Sequence, residues 1–378
     1  MITWPALASA QTPPAEPPVS PAASPPAEAP PSKWDFFDNE DGQLDFSNFL
    51  ASGGFIPVPI VITEPAVEQG LGVAAVFLSA EKPRQITRNV LAAFKTGNGS
   101  DGIGFVRAGY AFDGRLNYRV AVAHGNITLN TYPPFAPGGI EYTNNYEYGV
   151  LASAFWRLPD ERFSAGPLVD FRKLESHLDI PGLPEGFAHD FDRSLQTGAV
   201  GLGLQFDSRD NPLTPTRGAN AYAEAKFDRE MFGSDRDFET YDARFYAFRP
   251  LSPNLRLGYK LEFNAIRGDF PGYFAPAINL RGVEAQRYEG MDVLSSEVEL
   301  TWQTGKRWSL LAFGGVGSSD AGDHRFFQDS GGIWAGGLGF RYRIARKLGL
   351  DAGLDLAYGP EGAVVYIQFG HAWSLNMD

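Results

Sequence analysis

The sequence predicts an all-β chain: a transmembrane antiparallel β-barrel of about sixteen strands. Three observations carry that prediction. First, apolar and polar residues alternate strictly over long stretches. In 255–266 one face is Leu255, Leu257, Tyr259, Leu261, Phe263 and Ala265, and the other is Arg256, Gly258, Lys260, Glu262 and Asn264. Such two-residue alternation is a strand signal. Second, these stretches run to ten residues or more, whereas strands of water-soluble proteins average about five or six. Third, the composition is rich in glycine (43) and aromatics (13%), while charged residues make up only 20%. No run of apolar residues reaches the length a membrane helix needs. A membrane barrel requires no such run, because its apolar face occupies every second residue.

The termini read differently from the body. Ala8-Ser9-Ala10 before Gln11 has the form of a signal-peptidase site, so residues 1–10 are read as a signal-peptide remnant. Residues 11–32 hold nine prolines and five alanines, a composition for a semi-rigid tether rather than a helix or strand. Residues 11–54 form a Pro-rich, acidic extension expected in the periplasm, and 55–378 the barrel. Asp38-Asn39-Glu40-Asp41-Gly42-Gln43-Leu44-Asp45 has the look of a calcium loop. In that alignment Phe37 and Asn48 occupy the first and last ligand positions, so two strong ligands are missing. The plainer reading is an acidic turn before a short amphipathic piece, Leu44 to Leu50.

Strands are expected at 57–64, 70–80, 88–96, 101–113, 115–127, 143–157, 162–177, 194–207, 218–231, 237–249, 252–266, 292–303, 306–317, 332–344, 347–358 and 361–373. Further examples of two faces are Leu294, Ser296, Val298, Leu300, Trp302 against Ser295, Glu297, Glu299, Thr301, and Leu348, Leu350, Ala352, Leu354, Leu356 against Asp351 and Asp355. The polar faces suit a lumen lined with ion pairs, and aromatics near strand ends suit interfacial girdles. Tight turns at 113–114, 158–161, 250–253, 304–305 and 346–347 are assigned to the periplasm. Longer connections near 128–142, 178–193, 267–291 and 318–331 are assigned to the outside. The last strand is read through Val365, Ile367, Phe369 and Trp373, an aromatic ending typical of outer-membrane barrels.

Several function classes fall away. A net charge of −13 disfavours nucleic acid as a partner. With zero cysteines and five scattered histidines, neither a metal site nor a cofactor is expected. A lipase-type barrel needs a Ser–His pair on one rim; His124 and His177 are candidates for its histidine, but no serine motif accompanies them, and no enzyme activity is expected.

One long connection carries Leu280-Arg281-Gly282-Val283. This resembles the Val/Ile-Arg-Gly-Phe/Tyr motif in the sixth outer loop of the BamA/TamA-type outer-membrane assembly superfamily, the bacterial surface antigens. Arg209-Asp210-Asn211-Pro212, followed by Gly218, resembles that superfamily's Arg-Asp-Asn-Pro periplasmic turn. Pro57-Val58-Pro59-Ile60 at the start and Gly370 near the end resemble its short members. The resemblance covers residues 55–373. It implies that the sixth loop folds into the lumen and that Arg281 meets acidic residues there, Glu297 first. The family's Phe-x-Asp reads here as Phe313-Gly314-Gly315 without an acid, so Glu299 is expected as the second carboxylate. Val283 stands where the family has an aromatic. No POTRA domain fits in the 54 residues before the barrel. The resemblance further implies a bacterial outer-membrane location and a weak seam between the first and last strands, at Pro57, Pro59 and Gly370. Insertion of proteins or lipid into the outer membrane is the expected role, with a passive plugged pore or structural barrel as the alternative. Expected partners are outer-membrane lipid or lipopolysaccharide, client barrels and a second copy of the chain.

Overall fold

The computed structural model describes residues 34–373, apart from 39, 52–53, 63–66, 83–84, 132–139, 161, 180–192, 324 and 329–330. The signal-like segment, the Pro-rich tether to residue 32, the tips of two long outer connections and residues 374–378 lie outside the described residues.

Sixteen strands form one antiparallel sheet in strict chain order. They are β1 (Phe55–Ile62), β2 (Gly70–Lys82), β3 (Gln85–Thr96), β4 (Asp101–Ala111), β5 (Leu116–Thr131), β6 (Ile140–Arg157), β7 (Phe163–Asp179) and β8 (Arg193–Asp207). The second half comprises β9 (Gly218–Asp228), β10 (Phe238–Ser252), β11 (Leu255–Gly268), β12 (Asp292–Gln303), β13 (Trp308–Asp320), β14 (Ile333–Ala345), β15 (Leu350–Gly359) and β16 (Gly362–Phe369). Every consecutive pair is joined by a hydrogen-bonded ladder, but among the described residues no ladder joins β1 to β16. The sheet therefore curls into a nearly closed barrel with one unsealed seam. β1 is consequently an edge strand, the place where a sheet tolerates the missing donors of Pro57 and Pro59.

Burial is inverted relative to a water-soluble sandwich. Along β12, Val298, Leu300 and Trp302 are exposed at 44%, 39% and 54%, while Glu297, Glu299 and Thr301 are buried. Leu202 and Leu204 on β8, and Leu354 and Leu356 on β15, are likewise exposed. A sheet that hides its charges and shows its leucines is stable only if the outer medium is apolar. Trp156, Phe163, Trp302 and Trp308 stand exposed at the short-turn ends of their strands. That is the position of an interfacial aromatic belt.

One charged residue of the outward rows lies away from the strand ends among apolar neighbours. Arg107 on β4 shares the outer face with Ile103 and Phe105 and is exposed. It donates from Nη1 to Asn89 Oδ1 at 2.9 Å and from Nε to the Tyr118 hydroxyl at 2.8 Å. A lipid-facing arginine costs about 2–4 kcal/mol at the bilayer midplane and about 0–1 near the interface. Arg107 lies between these depths, inward of the strand end at Ala111. Replacing it alone would strand Asn89 and Tyr118 without their partner. The combined change Arg107→Leu, Asn89→Val and Tyr118→Phe should therefore raise stability in lipid bilayers by about 1–2 kcal/mol. Reversible urea unfolding from vesicles measures this, and a destabilised triple variant would show that the polar cluster is an asset to the wall.

Most strand bounds lie within three residues of the sequence expectation, and the largest departures, of four residues, are at the ends of β16 and β5. β16 ends at Phe369, not at 373. Gly370 takes φ 77 and breaks the extended path, and Trp373 turns inward to a buried position. The alternation of Val365, Ile367 and Phe369 therefore does not continue to Trp373. The connection between β5 and β6 is also shorter than expected, because both strands extend into it, to Thr131 and from Ile140.

Candidate functional site

Three arrangements inside the barrel hold charged or strained groups. The first lies beneath the connection between β11 and β12. Ile278, Leu280 and Val283 from this connection pack with Val293 of β12 and Ala335 of β14. Tyr288 packs against this cluster, and its carbonyl accepts the Ile278 N–H at 3.1 Å. Between the apolar contacts Arg281 points into the sheet. Its Nη2 is 2.6 Å from Glu297 Oε1, and its Nη1 is 2.7 Å from Asp355 Oδ2. Glu299 Oε2 lies 2.9 Å from the same Nη2, off the direction of its N–H bonds, so this contact is a charge pairing rather than a hydrogen bond. The guanidinium carbon also sits 3.6 Å from the centre of the Phe313 ring. Four residues from three strands thus surround one cation, and all are buried.

Alternation explains why these groups meet. Glu297 and Glu299 are two apart on β12 and so share its inner face. Phe313 is the registered partner of Glu299 on β13. Asp355 comes from β15 and is held by Arg341 of β14 in a two-pronged pair, at 2.6 and 2.9 Å. Lys260 of β11 donates to Glu262 and to the Asn279 carbonyl, tying the connection from its other side. Gly282 is required by space as well as by its φ of 96. A Cβ there would lie 3.2 Å from Ala357 Cβ and 3.3 Å from Ala335 Cβ. Its N–H donates to the Tyr366 hydroxyl at 3.0 Å.

Sequence reasoning did not find Asp355, Arg341, Tyr366 or Trp373 as members of this group. Trp373 stacks on Tyr246 with centroids 5.7 Å apart and donates from Nε1 to Glu297 at 2.7 Å. The available signal was the polar face of β15, where Asp351 and Asp355 interrupt an otherwise small-residue row.

The second arrangement is the connection between β8 and β9. Asp207 grips Arg209 through two hydrogen bonds, and Asp210 accepts the N–H groups of Thr216 and Arg217. Asn211 accepts the N–H groups of Leu213 and Thr214, so the loop is wound by its own side chains. It then crosses to the opposite wall. Asn211 Nδ2 donates to the Leu348 carbonyl at 2.9 Å, and the His371 N–H donates to the Leu213 carbonyl at 2.8 Å. Pro212 is half-buried within this loop. Gly218, at φ 101, closes the loop where a Cβ would lie 2.4 Å from the Ser208 carbonyl oxygen.

The third arrangement is the segment before β1, which docks at the short-turn rim. Phe37 and Leu44 pair as an isolated bridge, and Ser47–Ala51 form a short helix, α1. Leu50 is fully buried among Leu78, Ile86, Leu213, Ala345 and Leu350, with Ile56 of β1 packed alongside. The segment therefore touches β1 to β3 on one side of the seam and β14 to β15 on the other. Arg307, in the turn before β13, donates to Asp38 at 2.7 Å, Asp41 at 2.6 Å and Asp45 at 2.8 Å. Arg346 adds Glu40 and a second contact with Asp38. The acidic run that resembles a calcium loop thus gathers around a guanidinium. The Arg307 hydrogen bond holds the Asp41 carboxyl below its ordinary range, and Arg346 does the same for Glu40. At Asp45 burial pushes upward, but bonds from Ser47 and Arg307 outweigh it and the carboxyl stays low.

Of the two candidate lipase-type histidines, His124, on β5, has Nδ1 3.1 Å from the Glu147 carbonyl, and His177 lies on β7 beside Thr143.

A sixteen-stranded sheet with an apolar exterior, a charged interior and an open seam defines a transmembrane barrel of the outer-membrane type. The solved structures it resembles are of that type. It matches BamA from Haemophilus ducreyi lacking POTRA domains 1–3 with a TM-score of 0.53 and 11% identity, covering 88% of this chain and 79% of that one. CdiB from Escherichia coli matches with a TM-score of 0.55 and 8% identity, over 86% of this chain and 69% of that one. CdiB from Acinetobacter baumannii matches with a TM-score of 0.52 and 9% identity, over 83% and 58%. At such identities the likeness is one of fold. No family model and no curated protein matches the sequence.

Proposed function

We propose that this chain works in the outer membrane as an assembly barrel, helping client barrel proteins or lipid to enter the bilayer at the gap between β1 and β16. The observation that carries this reading is the absence of a β1–β16 ladder. Two free edges in an apolar medium leave backbone donors and acceptors unsatisfied, each costing several kcal/mol by general estimates of about 2–7 kcal/mol. An incoming strand satisfies them by adding to the edge. The Arg281 cluster then serves to lock the long connection against β12 to β15, keeping that wall rigid while the edge works.

The test is insertion kinetics. The chain has no cysteine, so one introduced on β1 and one on β16 form a clean disulfide across the seam. Vesicles carrying the reduced variant should speed the folding of an added outer-membrane barrel several-fold over empty vesicles, and oxidation should remove the gain. Rates equal to those of empty vesicles, with the protein shown to be folded, would refute the reading.

A second reading, a plugged pore, is favoured by the material in the lumen. The Arg281 connection occupies one part, and the β8–β9 loop with the docked N-terminal segment crosses the short-turn mouth.

A further inference from the structure

Beside the docked segment, the short-turn mouth keeps a cavity of about 210 Å³. Ile86 and Leu213 belong both to its wall and to the cluster around Leu50. The rest of the wall is polar, and its charge is one-sided: Arg88, Arg157, Arg162 and Arg209 face Asp160 and Asp207.

The two carboxylates are already engaged. Asp207 holds Arg209 through both oxygens. Asp160 Oδ1 accepts the N–H groups of Arg162 and Phe163, each at 3.2 Å. The side chains of Arg157 and Arg162 have no ion-pair partner among the described residues. Arg157 is instead held by the Tyr110 ring, with its guanidinium carbon 4.7 Å from the ring centre. That contact fixes the plane of the guanidinium and leaves its N–H fork free for a planar or tetrahedral oxyanion.

The surroundings reinforce the sign. His371, next to Arg209, is held well below its ordinary range, first by burial and then by Arg209, Arg256, Arg88 and Arg341. Burial and these guanidinium groups together disfavour a proton here. A concave wall with an excess of one sign concentrates counter-ions. The volume lies below the roughly 300–1,000 Å³ of sites for whole small molecules. It suits a single compact group with several oxygens, and guanidinium forks match phosphate best.

We infer that this arginine-lined cavity is a binding site for a phosphate group, with Arg157 and Arg162 as the residues that recruit it. The group belongs either to a lipid headgroup or to a free phosphate compound, and the two sources separate experimentally.

The test uses the full chain folded in a zwitterion-free, uncharged detergent. Inorganic phosphate is titrated by calorimetry at constant ionic strength against chloride, and short-chain phosphatidic acid is titrated in parallel. Saturable binding is expected, weakened at least tenfold by Arg157→Gln with Arg162→Gln. Arg157→Lys keeps the charge but loses the fork and should also bind more weakly. Heat-modifiable gel mobility verifies folding of each variant. If the double variant does not fold, Arg162→Gln alone, at the exposed rim, should still weaken binding measurably. Phosphatidic acid bound more than tenfold tighter than phosphate assigns the site to a lipid, and equal affinities assign it to free phosphate. Absence of saturable binding by either ligand, or variants that bind as the parent does, would overturn the inference.

Discussion

Arg281→Ala should release the connection between β11 and β12 from the barrel wall. The side chain is the shared counter-charge of Glu297, Glu299 and Asp355, and all three are buried. Removing one member of a buried ion pair costs about 3–5 kcal/mol, because the remaining charge stays uncompensated. Here three carboxylates lose a partner at once, with Arg341 and Lys260 left to serve Asp355, Glu262 and their neighbours. The loss of the Phe313 contact adds to the cost. Undocking the connection is the cheaper response, since it lets water reach the carboxylates. Trypsin should then cut at Arg287 within minutes under conditions where the parent resists, and single-channel conductance in planar bilayers should rise. Arg281→Lys should behave much like alanine, because one ammonium cannot span three carboxylates and an aromatic face. A protease-resistant Arg281→Ala protein with parental conductance would mean that the apolar contacts of Leu280 and Val283 hold the connection unaided.

The second large effect is expected at the rim. Arg307→Ala removes the cation that gathers Asp38, Asp41 and Asp45. Arg307 is buried in the docked state, but undocking returns its carboxylates to water, so the loss falls short of the fully buried case, at roughly thirtyfold in the docked fraction. A spin label at Phe37→Cys, an exposed position, should become mobile in this variant while the barrel stays folded. Acid should act in the same direction. The carboxyls of Glu40, Asp41 and Asp45 lie lower in the folded state than in the free chain. Their contribution is therefore fully present above the ordinary carboxylate range of about pH 4 and is lost as pH falls through the lowered values. Label mobility should be flat from neutral pH down to about 5 and rise below about 4. A parental profile in Arg307→Ala would show that Leu50 alone anchors the segment.

Much of the fold was legible because a barrel writes its pattern into every second residue. The bounds of β8 and β12 follow directly from alternation and turn residues. What the sequence conceals is closure. Glu297 and Glu299 announce a shared face by their spacing, but Asp355 reaches Arg281 from 74 residues away, and only the curl of the sheet brings them together. Trp373 was misplaced for a related reason. Its parity continues that of β16, and the positive φ of Gly370 that ends the strand leaves no trace in the hydrophobic pattern. The acidic run at Asp38 to Asp45 was readable as a cation cradle, but its cation, Arg307, stands more than 260 positions further along the chain.

The two lips of the seam are moored by unlike means. β16 leads through the bend at Gly370 to His371, which hydrogen-bonds the opposite wall, and to Trp373, which is wedged among Tyr246 and Phe248. Its anchorage is mainly one of aromatic packing, with one hydrogen bond to Glu297. β1 is steadied through Ile56 against Leu50, in a segment whose grip depends on an arginine and its carboxylates. One lip is thus held by packing and the other by an electrostatic hinge, so a widening of the seam, as the proposed role requires, would displace β1 before β16.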